Sequence, residues 1–189
     1  ETLLVAHNHR GMRDIRAALQ PGYLLRAAHT IRQCRGRVYI LTGFPVAGTF
    51  ETDGPAGAMA LYQLLAERDA QPTILSDKSI TDVLSPRFRC IELATGTRSE
   101  VTSAVASLYQ QAAPDVVISI ERPGAAADGH CYNMAGENIS TLCSATEPYL
   151  ELAACPTIAI GDGGNELGMG KAQTALAALN IRAATSDCD

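Results

Sequence analysis

The sequence predicts an α/β domain, a mostly parallel sheet with helices on both faces and a ligand site at the carboxyl edge of its strands. Short apolar runs at residues 38–41, 73–75, 115–120 and 157–160 lack polar alternation, as strands buried on both faces do. Segments with apolar residues at i, i+3 and i+4 separate them, and no tight Asn-Gly hairpin joins neighbouring runs. The runs also break into Gly-rich or acidic turns, which is where α/β sheets bind ligands.

Residues 1–21 give no clear element; His7 and His9 would share one face of a strand, but a solvated terminal loop is the simpler reading. Residues 22–33 read as a helix with Leu24, Ala27, Ala28 and Ile31 on one stripe, stopped by Arg35-Gly36. The strand at 38–41 delivers Thr42-Gly43-Phe44-Pro45 to the sheet edge, and residues 46–50 read as a flexible connection. Glu51-Thr52-Asp53-Gly54-Pro55 then opens a helix, with Pro55 at its first position and Ala58, Leu61, Leu64 and Leu65 facing inward. A strand at 73–75 ends at Asp77, and another is expected at 90–93. Thr97-Arg98-Ser99-Glu100 fits a capping box, opening a helix that buries Val101, Ala104, Val105 and Leu108.

The strand at 115–120 delivers Glu121-Arg122 to the same edge. Residues 123–148 form a long polar loop, functional or merely a crossover, with His130, Tyr132, Asn133 and Glu137 able to close over a ligand. A short helix at 149–154 precedes the strand at 157–160, which breaks into Gly161-Asp162-Gly163-Gly164-Asn165-Glu166. Ala172, Ala175, Leu176 and Leu179 continue as a helix.

A chain of 189 residues is read as one domain, 1–189, and a content of 47% apolar and 19% charged residues is that of a globular protein. A net charge of −5 argues against a nucleic-acid surface, and no apolar run approaches the roughly 18 residues of a membrane span. The start lacks the basic and apolar regions of a signal peptide, and lacks an initiator Met, so a trimmed chain is expected. Cys34, Cys90, Cys131, Cys143, Cys155 and Cys188 contain no C-x-x-C pair and read as reduced thiols rather than disulfides or a zinc site. Arginine outnumbers lysine and alanine is abundant, which suggests a bacterial cytoplasm, or a mitochondrial matrix if the source is eukaryotic.

Parallel strands would gather Asp53, Glu121, Asp162 and Glu166, with Glu51 close by, at one rim of the sheet. Carboxylates so gathered repel unless a cation or protons neutralise them. Oxygen ligands without a His/Cys set favour Mn²⁺, Mg²⁺ or Ca²⁺. The glycine turn lacks the full G-x-G-x-x-G spacing and a P-loop lysine, and no G-x-S-x-G elbow is present.

Gly161 to Gly170, with Thr42-Gly43-Phe44-Pro45, Glu51 to Ala58 and Ile120-Glu121-Arg122-Pro123-Gly124, resembles the D-glutamate cyclase family in its C-terminal, cyclase-like domain. The resemblance runs from about Gly11 to Asp189. It implies a hydro-lyase that interconverts D-glutamate and 5-oxo-D-proline plus water. It further implies a metal held by Asp53, Glu121, Asp162 and Glu166, with Glu51 and Asp53 in catalytic roles and Glu51 the candidate base. Backbone N–H groups at Gly43, Gly163 and Gly164, with Thr42, Asn165 and Arg122, would orient the substrate carboxylates. The chain departs from the family at its end, residues 185–189, where a further strand and helix are expected, so truncation is anticipated. It departs again at Ala125, where a basic residue is expected. The expected partner is a small amino-acid substrate, with no nucleic acid and no membrane; a homo-oligomer is compatible with the sequence. The competing readings are a Mn²⁺- or Mg²⁺-dependent phosphatase on a small phosphorylated metabolite and a non-catalytic module that binds a small ligand or metal.

Overall fold

The computed structural model describes residues 1–46 and 48–179; Cys188 and the departure at 185–189 lie outside the described residues. In chain order the elements are α1 (Met12–Ala18), α2 (Tyr23–Gln33), β1 (Arg37–Thr42), β2 (Pro45–Val46), β3 (Thr49–Phe50) and α3 (Asp53–Ala66). There follow β4 (Gln71–Ser76), α4 (Lys78–Leu84), β5 (Cys90–Glu92), α5 (Arg98–Gln111), β6 (Val116–Ile120), α6 (Glu147–Glu151), β7 (Thr157–Ile160) and α7 (Gln173–Ala177). The main sheet runs β5-β4-β1-β6-β7 with every neighbouring pair parallel. The α/β class read from the apolar runs is the class observed.

Alternation along the central strands divides the core into two layers. Val38, Ile40, Ile74, Val116, Ile118 and Ile120 pack on one face with Ala58 and Leu65 of α3 and Ile80 and Leu84 of α4. Tyr39, Leu41, Leu75 and Val117 pack on the other with Val101 and Val105 of α5 and Tyr149 of α6. Because both faces are covered, the central strands are mostly apolar on both sides, with only small hydroxyl residues (Thr42, Thr73, Ser76 and Ser119) among their buried polar positions.

β1 lies at the centre, and the chain builds outward from it first through β4 and β5, then on the other side through β6 and β7. The strand order reverses between β1 and β6, where Thr42 pairs in register with Ile120. A reversal of this kind leaves a crevice at the carboxyl ends of the two strands. Thr42 and Glu121 stand at its two sides.

The capping box is present: Glu100 N–H donates to Thr97 Oγ1 at 3.4 Å, and Thr97 N–H donates to Glu100 Oε2 at 2.7 Å. Thr97→Ala is expected to cost about 1 kcal/mol, read as a lower midpoint in urea with an unchanged m-value.

Several local expectations differ from the structure. The connection at 46–50 carries a two-residue antiparallel ladder, β2 with β3. α1 and α4 had no legible pattern at their length. The expected inward stripe of α2 lies at the margin, with no residue of that helix buried and Leu24 44% exposed. Leu64 is likewise outside the core of α3 at 44%. β7 is an edge strand, not a buried one, with Ile160 43% exposed. Among the described residues no helix is long and apolar enough to cross a membrane.

Candidate functional site

Three of the acids gather beyond the carboxyl ends of β6 and β7, on the β6 side of the β1/β6 switch. β6 ends at Ile120, and Glu121 follows in the left-handed region at φ 45°, its N–H donating to the Ile160 carbonyl of β7 at 2.9 Å. A non-glycine residue held there carries strain of about 1–3 kcal/mol, a cost found where the surroundings force a side chain into a working position. β7 ends at Ile160, and the turn that follows carries Asp162 and Glu166. One carboxylate oxygen from each of Glu121, Asp162 and Glu166 lies within 4.8 Å of the others, close enough for a single ion to bridge them.

Glu166 is the anchored member. It is 3% exposed and accepts N–H bonds from Asp162 at 3.1 Å, Gly163 at 2.5 Å and Gly164 at 2.7 Å. The turn closes tightly around it: a Cβ on Gly161 would lie 2.8 Å from Glu166 Cβ. A Cβ on Gly163 would lie 2.7 Å from Glu166 Oε1 and 2.6 Å from Asn165 Oδ1. Gly163→Ala is therefore expected to push Glu166 out of place and, for the cation site proposed below, to weaken divalent-cation binding by about tenfold or more, measured by titration calorimetry.

α3 completes the rim. Its first turn packs directly on the crevice, since a Cβ on Gly54 would lie 2.9 Å from both Thr42 Oγ1 and Glu121 Cβ. Asp53 opens that helix, and Glu51 is held beside β1 by its N–H donating to the Phe44 carbonyl at 2.9 Å. Burial pushes the Glu121 carboxyl up to about 8, reinforced by the negative charges of Glu166, Asp162, Asp53 and Glu51. Glu51 is raised in the same way, by burial and then by Asp53, with Arg10 opposing. Of the acids read from the sequence, only Glu121, Asp162 and Glu166 come within ligand distance of one another; Asp53, expected as a fourth ligand, instead accepts the Gly54 N–H at 2.9 Å at the start of α3, and Glu51 also stands outside the group.

The family described as D-glutamate cyclase-like, C-terminal, matches residues 1–189 of this chain. The chain belongs to that family. A relative, the human "D-glutamate cyclase, mitochondrial", is 34% identical over 189 aligned residues, covering 88% of this chain and 30% of the relative. The chain thus spans about 30% of the length of the curated relative it matches.

In this cyclase-like chain the residues expected to touch substrate have other partners. Arg122 is fully buried; it donates to the Gly43 carbonyl at 2.9 Å and the Ser144 carbonyl at 2.8 Å, and it forms a bidentate pair with Asp77. It clamps the ends of β1 and β4 to the 123–148 loop, so its role is structural in this geometry. The Gly163 and Gly164 N–H groups point to Glu166 instead of an incoming carboxylate. They belong to a turn, since α7 begins only at Gln173. Asn165 is 1% exposed and donates to the Tyr132 carbonyl at 2.8 Å, tying the same loop to the turn. Gly43 sits at φ 111°, where a Cβ would meet Ile80 Cδ1 at 2.5 Å. Its glycine allows the sharp exit from β1 that lets Arg122 reach its carbonyl.

Thr42 is fully buried at the end of β1. Its Oγ1 is buried without a hydrogen-bond partner among the described residues, beside Gly54 and Glu121. His7 and His9 stack on each other at 5.9 Å, exposed, and belong to no group of metal-ligating side chains among the described residues. Sequence reasoning missed Arg10, which forms an ion pair with Asp162. An isolated arginine in a polar terminus gives no periodic signal that would reveal it.

Proposed function

We propose that this domain is a divalent-cation-assisted hydro-lyase that interconverts D-glutamate and 5-oxo-D-proline plus water. The observation that carries the reading is the Glu121–Asp162–Glu166 group, whose facing oxygens lie within 4.8 Å of one another beyond the ends of β6 and β7. Family membership and the name of the human relative support the substrate class.

The donor set fits a hard cation. Among the described residues it is made of carboxylate oxygens, without His or Cys, and the buried Thr42 Oγ1 has no hydrogen-bond partner. Mn²⁺ or Mg²⁺ is the expected ion, with Ca²⁺ a weaker fit for a reaction needing a strong Lewis acid. A bound ion would polarise the reacting side-chain carboxylate and ease the departure of its oxygen.

The chain's own residues then handle protons and orientation. Ring closure is intramolecular, so proximity is supplied by the substrate and the site must hold a bent conformer. The substrate ammonium loses two protons as the N–C bond forms and the C–O bond breaks, and the departing oxygen takes both and leaves as water. Glu51 is the shuttle in this reading: it lies outside the tight triad, and burial and Asp53 raise its affinity for protons. Asp53 supports it from the start of α3. Glu121, Asp162 and Glu166 would hold the ion, and Arg122 holds the 123–148 loop through the Ser144 carbonyl. The free thiols of the described cysteines accord with a reducing compartment, the bacterial cytoplasm or the mitochondrial matrix.

The test is direct. The purified protein with Mn²⁺ is incubated with D-glutamate and with 5-oxo-D-proline, and both directions are followed by chiral chromatography. Interconversion that is lost on chelation and restored by Mn²⁺ is expected. Absence of turnover in both directions with the ion bound would reject the assignment.

A further inference from the structure

Arg10 is the charged side chain at the acidic rim that the proposed reaction leaves without a role. Its guanidinium pairs with Asp162, 152 positions away in sequence, and its charge also acts on Glu51. Both partners stay open to solvent, with side chains 47% and 64% exposed. An exposed pair of this kind contributes little to stability. The fold nevertheless takes trouble to put Arg10 there.

Asn8 and Arg10 both adopt left-handed backbone conformations, at φ 49° and 52°. Gly11 follows at φ 72° and packs so closely on Leu179 that a Cβ would lie 2.4 Å from its Cδ2. Arg13 N–H donates to Asn8 Oδ1 at 2.8 Å, and its Nη2 donates to the Ala6 carbonyl at 2.9 Å, closing the bend. Beyond it, Ile15 of α1 shares an apolar cluster with Ala172 and Leu176, flanked by Met12 and Met169. Leu176 also lies over the glycine turn, since a Cβ on Gly164 would meet its Cδ2 at 2.6 Å. Arg10 and the turn bearing Asp162 and Glu166 are thus seated on one cluster, which sets the distance between them.

We propose that Arg10 is the anchor for a substrate carboxylate, released from Asp162 when a divalent cation takes that side chain. The inference rests on the cation-site reading above. A dicarboxylate approaching Glu51, Asp53, Glu121, Asp162 and Glu166 meets like charge, and one ion on the triad offsets only part of it. A second cation is needed at the mouth of the crevice. Arg122 cannot serve, being fully buried with its terminal nitrogens on Gly43, Asp77 and Ser144. The Gly163 and Gly164 N–H groups are held by Glu166. Arg10 is exposed, and its planar fork matches a carboxylate in two parallel hydrogen bonds. While the ion is absent the guanidinium sits on Asp162, so ion and arginine compete for one carboxylate. Binding is therefore ordered, ion first and dicarboxylate second.

The experiment compares wild type, Arg10→Gln, Arg10→Lys and Glu166→Gln. Mn²⁺ affinity is read by electron paramagnetic resonance and by calorimetry, and KM and kcat for D-glutamate are measured at saturating Mn²⁺. With its competitor gone, Arg10→Gln is expected to bind Mn²⁺ about two- to fivefold tighter. Its KM is expected to rise about tenfold or more while kcat changes by less than about threefold. Arg10→Lys should recover part of the KM, since a point charge replaces the fork. Unchanged or weaker Mn²⁺ binding by Arg10→Gln, or an unchanged KM, overturns the proposal; if Glu166→Gln meanwhile loses Mn²⁺, the cation site stands and only the role of Arg10 falls. A wild type that binds no Mn²⁺ removes the cation site and this inference together.

Discussion

Under the proposed function, Glu166→Gln is expected to lower divalent-cation affinity by about 100-fold or more, and turnover of the proposed substrate D-glutamate with it. The side chain is enclosed by the turn it organises, accepting from Asp162, Gly163 and Gly164 with both oxygens. An amide of the same shape keeps one acceptor oxygen, so part of the turn survives. Its NH₂ group, however, faces N–H donors and subtracts one negative charge from the triad. Calorimetric titration with Mn²⁺ reads the first effect, and formation of 5-oxoproline reads the second. Glu166→Ala is the harsher variant. It leaves the three N–H groups without their acceptor, at about 1–3 kcal/mol for each one left unsatisfied, and its denaturant midpoint should drop well below that of the amide. If Glu166→Gln binds Mn²⁺ as wild type does, the triad is not the cation site.

The second large effect is on stability against pH in the protein stripped of divalent ions. Glu121 keeps its proton up to about 8 in the fold, against an ordinary value of 4.5, chiefly because it is buried and then because Glu166, Asp162, Asp53 and Glu51 surround it. Between those two values the folded chain holds a proton that the unfolded chain has released. Stability therefore falls as pH rises across this window, the contribution being whole below 4.5 and gone above about 8. Glu51, also raised, adds to the slope in the same direction. The melting temperature of the ion-free protein is expected to fall steadily from about pH 5 to about pH 9. Glu121→Gln should flatten most of that slope, because a neutral amide has no proton to lose. Mn²⁺ should raise the melting temperature most at the alkaline end, where the ion replaces protons as the neutralising charge. A slope that persists unchanged in Glu121→Gln would mean that other groups set it.

Much of the architecture was legible in local patterns. Residues 38–41 are apolar throughout and 116–120 at every position but Ser119, and both lie in the middle of the sheet as β1 and β6. The Thr97–Glu100 capping box needs only a few consecutive residues, and it forms as written. β7 misled because an apolar run signals a strand without saying whether neighbours cover it, and here it lies at the sheet edge. α1 and α4 span 7 residues each, too short for helical periodicity to stand out.

What the amino-acid order determined unaided was the class of fold, the strand ends at which acidic residues emerge, and the carboxylate chemistry of the side chains there. Those properties depend on near neighbours and on residue type. Which acids meet, and which of the other polar groups remain free, was decided by the tertiary structure alone. Strand order puts Thr42 beside Glu121, burial turns Arg122 and Asn165 into braces, the Glu166 carboxylate closes the glycine turn upon itself, and the α1–α7 cluster swings Arg10 onto Asp162. Side-chain partners are chosen among groups far apart in the chain, so their pairing exists only once the sheet and its covering helices have brought them within reach.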